Sequence, residues 1–161
     1  MRLRHLPHLV RRFFGSLWAR RPGPSDQIFI AGMLQGNAAR LFAAQRPMDQ
    51  HHALRTARQV AATAPHRTDL VRAALLHDVG KAHSDLGVIG RSLASIFAMA
   101  RVPTRGRFAA YLDHGRLGAS DLAGAGESGI TVAFAARHHA AAAPAAIDPR
   151  DWARLRAADG E

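Results

Sequence analysis

The sequence predicts an all-α fold, a compact bundle of about six to seven helices with an amphipathic helix at its N-terminus. Alanine is abundant while aromatic residues make up only 6% of the chain, a composition that favours helix over strand. Apolar residues recur every three to four positions, and no useful stretch alternates as a strand would. At 161 residues, the chain suits one domain around a single core.

Helix caps and helix breakers predict where each helix begins and ends. The helices are expected over 27–45, 49–64, 69–79, 87–101, 107–124, 127–140 and 150–158. Ser25-Asp26 and Thr68-Asp69 supply N-caps, and Gly80 fits the C-terminal stop of the third helix. The alanine-rich stretch 140–149 is expected to be a loop, because prolines interrupt it. On the first helix, the side chains expected to point inward are Ile28, Phe29, Leu34, Leu41 and Phe42.

The residue types present exclude several kinds of site. The chain has no cysteine, which excludes disulfides, thiolate zinc sites and a cysteine nucleophile. A metal ion would therefore have to be held by histidine and carboxylate.

The charge is strongly basic and uneven. The net charge is +10, carried by 21 arginines and one lysine, and no acidic residue precedes Asp26. Outside the first 21 residues the chain is only mildly basic, which suits a small phosphorylated or nucleotide ligand. We do not expect nucleic acid as a partner.

Residues 1–24 are predicted to form a basic amphipathic segment, separate from a domain over 25–161. Leucines, phenylalanines and Trp18 lie on one face and arginines on the other, and Pro22-Gly23-Pro24 ends the helix. Two interpretations stay open: the apolar face packs on the domain or a second subunit, or residues 1–21 lie on an anionic membrane surface. The expected location is cytoplasmic, and in the second case peripheral to the inner face of the membrane.

Ligand-type side chains recur on otherwise apolar helix faces. These residues are His52, His77, Asp78, His114, His138 and Asp159. Each carries a desolvation cost in an apolar core unless something satisfies it. Iron, manganese, cobalt, nickel and zinc all accept imidazole and carboxylate together. The pattern predicts a metal site, with one ion or with two ions that Asp78 bridges.

The same residues resemble the signature of the HD-domain superfamily of metal-dependent phosphohydrolases, over about residues 49–161. That signature is a histidine, then a His-Asp pair at a helix end, then a distant aspartate. His52 matches the histidine, His77-Asp78 of LLHDVGK the pair, and Asp159 of LRAADGE the last aspartate.

Two additional histidines resemble the HDIG-type subset that binds two metals. They are His114 of DHGRLGASDL and His138 of FAARHH. Bacterial enzymes that hydrolyse dinucleoside polyphosphates and cyclic-dinucleotide phosphodiesterases belong to this subset. The Gly-Tyr-Pro motif of the cyclic-di-GMP enzymes is missing here, which disfavours that substrate.

The resemblance implies a helical fold and a phosphohydrolase that cleaves a phosphate ester or anhydride of a nucleotide-like substrate through metal-activated water. It implies one or two divalent ions, of iron, manganese, cobalt, nickel, zinc or magnesium, held by the six residues, with Asp78 also catalytic. Lys81, the only lysine, is expected to bind phosphate or act in catalysis. Its alternative role is as a charge partner of the helix C-terminus.

Several alternatives remain open from the sequence. His51 could replace His52, and His139 could replace His138. Asp148 could replace Asp159, because Asp159 lies close to the C-terminus, where fraying is common. Two other functions also stay open: a di-iron oxygenase on an HD-type core, and a non-catalytic signalling module that keeps its metal for stability.

Overall fold

The computed structural model describes residues 20–160, and within them it contains helices and loops but no strand. The predicted all-α class is confirmed. The predicted N-terminal amphipathic helix lies in the part of the chain outside the described residues. None of the described helices is both long enough and apolar enough to cross a membrane.

Residues 20–160 form nine α-helices and one short 3-10 helix, more than the six to seven predicted. The α-helices are α1 (Pro24–Met33), α2 (Gly36–Ala44), α3 (Pro47–Thr63), α4 (Thr68–Leu76), α5 (Val88–Met99), α6 (Gly106–Leu112), α7 (His114–Gly124), α8 (Gly129–Arg137) and α9 (Pro149–Asp159). The 3-10 helix covers Val79–His83 and lies between α4 and α5. The predicted loop over 140–149 is confirmed, apart from Pro149, which begins α9.

The higher helix count arises because two predicted helices are each divided. The helix expected over 27–45 breaks at Leu34, which is extended and only 2% exposed, and α2 begins at Gly36 with φ +57°. A residue with a side chain is strained at that φ, so glycine suits the junction. The helix expected over 107–124 breaks at Asp113, between α6 and α7.

Helix α4 is the centre of the core. Leu70 and every residue from Ala73 to Leu76 are fully buried, with no exposed surface. Helices α3, α8 and α9 pack around α4, and α7 packs on α8 and on the 3-10 helix. The C-terminal end of α4 therefore lies deep in the molecule, where the chain places His77 and Asp78.

The prediction for the end of α4 is wrong in detail. The helix ends at Leu76 rather than at residue 79, and Gly80 lies in the 3-10 helix without a positive φ. A Cβ at Gly80 would lie 2.0 Å from the carbonyl oxygen of His114 and 2.5 Å from the amide nitrogen of Gly118. Glycine is therefore needed here for a close approach to α7, and not as a left-handed helix stop.

The inward face predicted for the first helix is partly wrong. Leu34 and Phe42 are buried, but Ile28 is 75% exposed. In helix α5 most of the large apolar side chains are exposed, while its arginine is buried.

Candidate metal centre

The six side chains expected to bind metal lie together around the end of α4. His77 caps α4 and Asp78 follows it, both with almost no exposed surface. The other four come from α3, α7, α8 and α9: His52, His114, His138 and Asp159. Residues separated by up to 107 positions in sequence thus meet at one place.

One half of the centre surrounds Oδ2 of Asp78. His77 Nε2 lies 3.3 Å and His52 Nε2 lies 3.8 Å from this oxygen. Asp159 Oδ1 lies 2.7 Å from His52 Nε2 and 3.1 Å from His77 Nε2. The two imidazoles and the Asp78 carboxylate therefore lie close enough together to hold a single ion, and Asp159 contacts both imidazoles.

The other half surrounds Oδ1 of the same carboxylate. His114 Nε2 lies 3.3 Å and His138 Nε2 lies 3.5 Å from Oδ1, and the two nitrogens are 3.3 Å apart. His139 is exposed, but its ring nitrogen lies close enough to those of His114 and His138 for the three to hold an ion. Asp78 thus has one oxygen facing each group of histidines.

Three of the histidines hold their rings in the same way. Nδ1 of His77, His114 and His138 lies 2.8, 2.6 and 3.0 Å from the backbone carbonyl oxygen three residues earlier. A carbonyl oxygen can only accept, so each Nδ1 carries the proton and donates it. In the neutral form of each ring, Nε2 then has its lone pair facing the centre, which is the state needed in a metal ligand.

His52 is held differently. The guanidinium of Arg55 donates to His52 Nδ1 at 2.8 Å, so Nε2 carries the proton and donates to Asp159 Oδ1. For Nε2 to bind a metal, its proton must move to Nδ1, and the hydrogen bond from Arg55 to Nδ1 must then break. The only sequence signal for this contact is that His52 and Arg55 are three residues apart on one helix. The contact was not predicted from the sequence.

Carboxylates shift the protonation of the centre. Burial alone lowers the pKa of His77, but Asp78 and Asp159 beside it raise that pKa to about 10. Burial raises the pKa of Asp159, yet the hydrogen bond from His52 and the adjacent His77 ring bring it below its usual range. Burial lowers the pKa of His138, which favours its neutral form.

Lys81 contacts the centre directly. Its Nζ lies 2.5 Å from Asp78 Oδ2, and its side chain is 14% exposed. Burial lowers the pKa of Lys81, but the Asp78 carboxylate more than offsets this and raises it above its ordinary value. The same ammonium, followed by His77, brings the pKa of Asp78 well below its usual range despite the burial of that carboxyl. The lysine therefore stays charged beside Asp78.

The alternatives left open by the sequence occupy other places. His51 is exposed and contacts the backbone oxygen of Arg20. Asp148 is exposed and caps α9 by accepting a hydrogen bond from the Arg150 amide. His139 is the exception, because it lies beside His114 and His138.

The residues present fit a divalent metal ion. His77 Nε2 and Asp78 Oδ1 are buried without a hydrogen-bond partner of acceptable geometry. Uncompensated buried polar atoms are rare and costly in folded proteins, and here both are ligand atoms aimed at one centre. An imidazole and carboxylate set of this kind is typical of sites for transition-metal ions such as iron, manganese and zinc.

One comparison with known proteins identifies a family. The HD domain family model matches residues 50–159, which contain all six converging side chains. No curated protein and no solved structure matches the chain. The family is generally one of metal-dependent phosphohydrolases. Because the match spans well over half of the chain, the protein belongs to the HD domain family.

Proposed function

We propose that the protein is a metal-dependent phosphohydrolase, cleaving a phosphate ester or anhydride of a nucleotide-like substrate. The observation that carries the proposal is the position of Asp78 between two sets of histidines, with one carboxylate oxygen toward each. In phosphoryl-transfer enzymes, paired metal ions clamp the attacking and the leaving oxygens of an in-line displacement.

Each half of the centre supplies the ligands for one ion. His52, His77 and Asp159 would hold the first with Asp78 Oδ2, and His114 and His138 would hold the second with Asp78 Oδ1. When bound, such ions lower the pKa of a bound water and polarise a phosphoryl oxygen. Iron, manganese, cobalt, nickel, zinc and magnesium are the candidates.

The chain's own charged groups would position the substrate. The ammonium of Lys81 contacts Asp78. With metal charge at that carboxylate, the ammonium would be free to bind a phosphoryl oxygen of the substrate. This gives the only lysine of the chain a role in offsetting the charge that develops on the phosphoryl group.

A cleft of about 280 Å³ opens on the second half of the centre. Arg116, Arg137 and His139 line it beside His114 and His138. Arg116 is 72% exposed and forms an ion pair with Asp113. A phosphate group of the substrate could replace Asp113 as the partner of Arg116. The cleft offers a phosphorylated substrate an approach to the ligand atoms.

Metal content and phosphate release test the proposal on one sample. Elemental analysis of protein purified with and without oxygen is followed by a phosphate-release assay on a panel of nucleotides. We expect the Asp78→Ala variant to lose bound metal and hydrolysis together. Asp148→Asn is the matched control, because asparagine keeps the helix cap while the carboxylate is removed.

Three results would count against the mechanism. Undiminished hydrolysis in Asp78→Ala would exclude the central role of that carboxylate. Oxygen consumption by an iron-loaded sample, without phosphate release from any nucleotide, would instead favour a di-iron oxygenase. Metal binding without either activity would indicate the non-catalytic module.

A further inference from the structure

Helix α5 exposes a continuous apolar face. Ile89, Leu93 and Ile96 are 68%, 40% and 51% exposed, and their spacing of four and then three residues places them on one side of the helix. Met99, at 78% exposed, and Val102, at 47%, continue the surface beyond them. We call these five residues the α5 face. Exposed apolar residues are ordinary when scattered, but a contiguous patch of this kind indicates an interaction surface.

The opposite side of α5 is fixed by an ion pair. Within this helix only Arg91 and Ala94 are buried. The guanidinium of Arg91 donates to both oxygens of Asp49 on α3, at 2.5 and 2.6 Å, and to the backbone oxygen of Leu86. Turning the α5 face inward would break this bidentate pair and leave Asp49 buried without its cation, which is strongly unfavourable. The apolar face is therefore held outward.

The segment of the chain that carries the α5 face has charges of one sign only. No acidic residue occurs between Asp85 and Asp113, whereas four arginines do. Arg91 among them is buried and Arg107 pairs with Asp85, whereas Arg101 and Arg105 are exposed. An apolar surface with arginines at its edge is complementary to a membrane, since the side chains enter the acyl boundary and the guanidiniums meet lipid phosphates.

We propose that the α5 face docks on an anionic lipid surface. A second copy of the chain would bring the same basic region against itself. Residues 1–21 carry six arginines and no acid, so they are like-charged with this region as well. Charge complementarity thus favours anionic lipid over both of these occupants. The proposal concerns a surface distinct from the metal centre and does not depend on the proposed hydrolysis.

The absence of cysteine allows a direct test on the full chain. A single cysteine is introduced by Ile96→Cys and labelled with a fluorophore that reports the polarity around it. Ile28→Cys, at another strongly exposed isoleucine on α1, is the matched control. Each labelled protein is mixed with vesicles of phosphatidylcholine alone, or of equal parts phosphatidylcholine and phosphatidylglycerol.

We expect the emission at position 96 to shift to shorter wavelength and to rise about twofold with anionic vesicles only, because the probe leaves water. Position 28 should not respond, and added salt should reverse the change. If the protein pellets with anionic vesicles while the probe at 96 stays unchanged, residues 1–21 bind alone and the proposal fails. A blue-shifted probe at 96 before vesicles are added would mean that protein covers the face, which also overturns the proposal.

Vesicle co-sedimentation of unlabelled protein gives a second measurement. Replacing Leu93 and Ile96 together by serine should lower partition onto anionic vesicles about tenfold, since two apolar side chains no longer enter the lipid. The Ile28→Ser variant should partition as the unaltered protein does. Circular dichroism checks that the variants remain folded, and equal partition of all three proteins would contradict the proposal.

Discussion

At the residue scale, the contact between Lys81 and Asp78 raises the question whether the role of Lys81 is catalytic or structural. The ammonium of Lys81 lies 2.5 Å from an Asp78 carboxylate oxygen that also faces His77. If the lysine serves only as the partner of Asp78, its loss should disturb metal binding. If it offsets charge on the phosphoryl group, its loss should slow turnover alone.

We expect Lys81→Ala to lower kcat by about 100-fold, the usual effect of removing one electrostatic donor from a transition state. Metal content by elemental analysis should stay that of the unaltered protein. Lys81→Arg should recover part of the rate, because the charge remains while the compact geometry is lost. A fall in metal content that matches the fall in rate would assign Lys81 a purely structural role.

The protonation of His77 predicts how metal affinity depends on pH. With its pKa raised to about 10, His77 holds a proton at neutral pH that a metal ion must displace. Because the metal-free form binds the extra proton, affinity should rise as pH rises, by up to about tenfold per pH unit below 10. Calorimetric titration with Mn²⁺ in buffers of different ionisation enthalpy should show proton release. Affinity that is flat between pH 7 and 9 would contradict this prediction.

At the scale of single elements, three histidines end or begin helices while they face the centre. Nδ1 of His77 and of His138 donates to a backbone carbonyl oxygen near the end of α4 and of α8. Nδ1 of His114 donates to the carbonyl oxygen of Tyr111, at the break between α6 and α7. Carbonyl groups at a helix end have no partner within the helix. Each ring thus provides a hydrogen bond from Nδ1 to a carbonyl oxygen at the helix end, and its Nε2 faces the centre.

The close approach between the 3-10 helix and α7 predicts a large effect at Gly80. A Cβ added there would lie within 3 Å of three backbone atoms of His114 and Gly118, so the two elements must separate. We expect Gly80→Ala to reduce the free energy of unfolding by about 3 kcal/mol, in the upper range for overpacking, and to weaken metal binding. Denaturant unfolding and elemental analysis measure the two effects.

Gly124, at the C-terminal end of α7, provides the matched control on the other element of this contact. A Cβ there would meet nothing within 4 Å, and the backbone has no positive φ. Gly124→Ala should leave stability unchanged or raise it by about 0.5 kcal/mol, because the unfolded chain loses freedom. Similar destabilisation by both substitutions would indicate a general intolerance of α7 rather than the specific contact at Gly80.

At the scale of the whole molecule, the centre links helices that are far apart in the chain. Ligand-type side chains come from α3, α7, α9 and the ends of α4 and α8. A bound ion would join these elements in the folded state only, so metal binding and global stability should be coupled.

We expect Mn²⁺ at about one hundred times its Kd to stabilise the fold by about 2.7 kcal/mol, or about 5 to 10 °C in Tm. Thermal unfolding with added metal or with chelator measures the shift. Asp159→Asn should remove most of it, whereas Asp148→Asn should retain it, since Asp148 only caps α9. Equal shifts in the two variants would show that the metal stabilises the protein from another position.

Much of the fold and of the candidate centre was predictable from local signals. Alanine content and three-to-four periodicity report helix directly, and HDVGK places a His-Asp pair at a helix end. The two helix breaks were not predicted, because the spacing of apolar residues does not report where a helix is interrupted. At the first break Leu34 leaves the helix and is buried in the core, and at the second His114 Nδ1 donates to the carbonyl oxygen of Tyr111.

By itself the sequence determined the helical class, the exclusion of thiolate ligands and the residue types of the centre, because composition and spacing act within one or two helical turns. Only the tertiary structure decided that Asp78 turns one oxygen to each group of histidines. It also decided that α5 shows its apolar side to the surface, through a pair between Arg91 and Asp49 that are 42 residues apart. Periodicity describes which side chains share a face, whereas contacts between distant segments decide which way that face points.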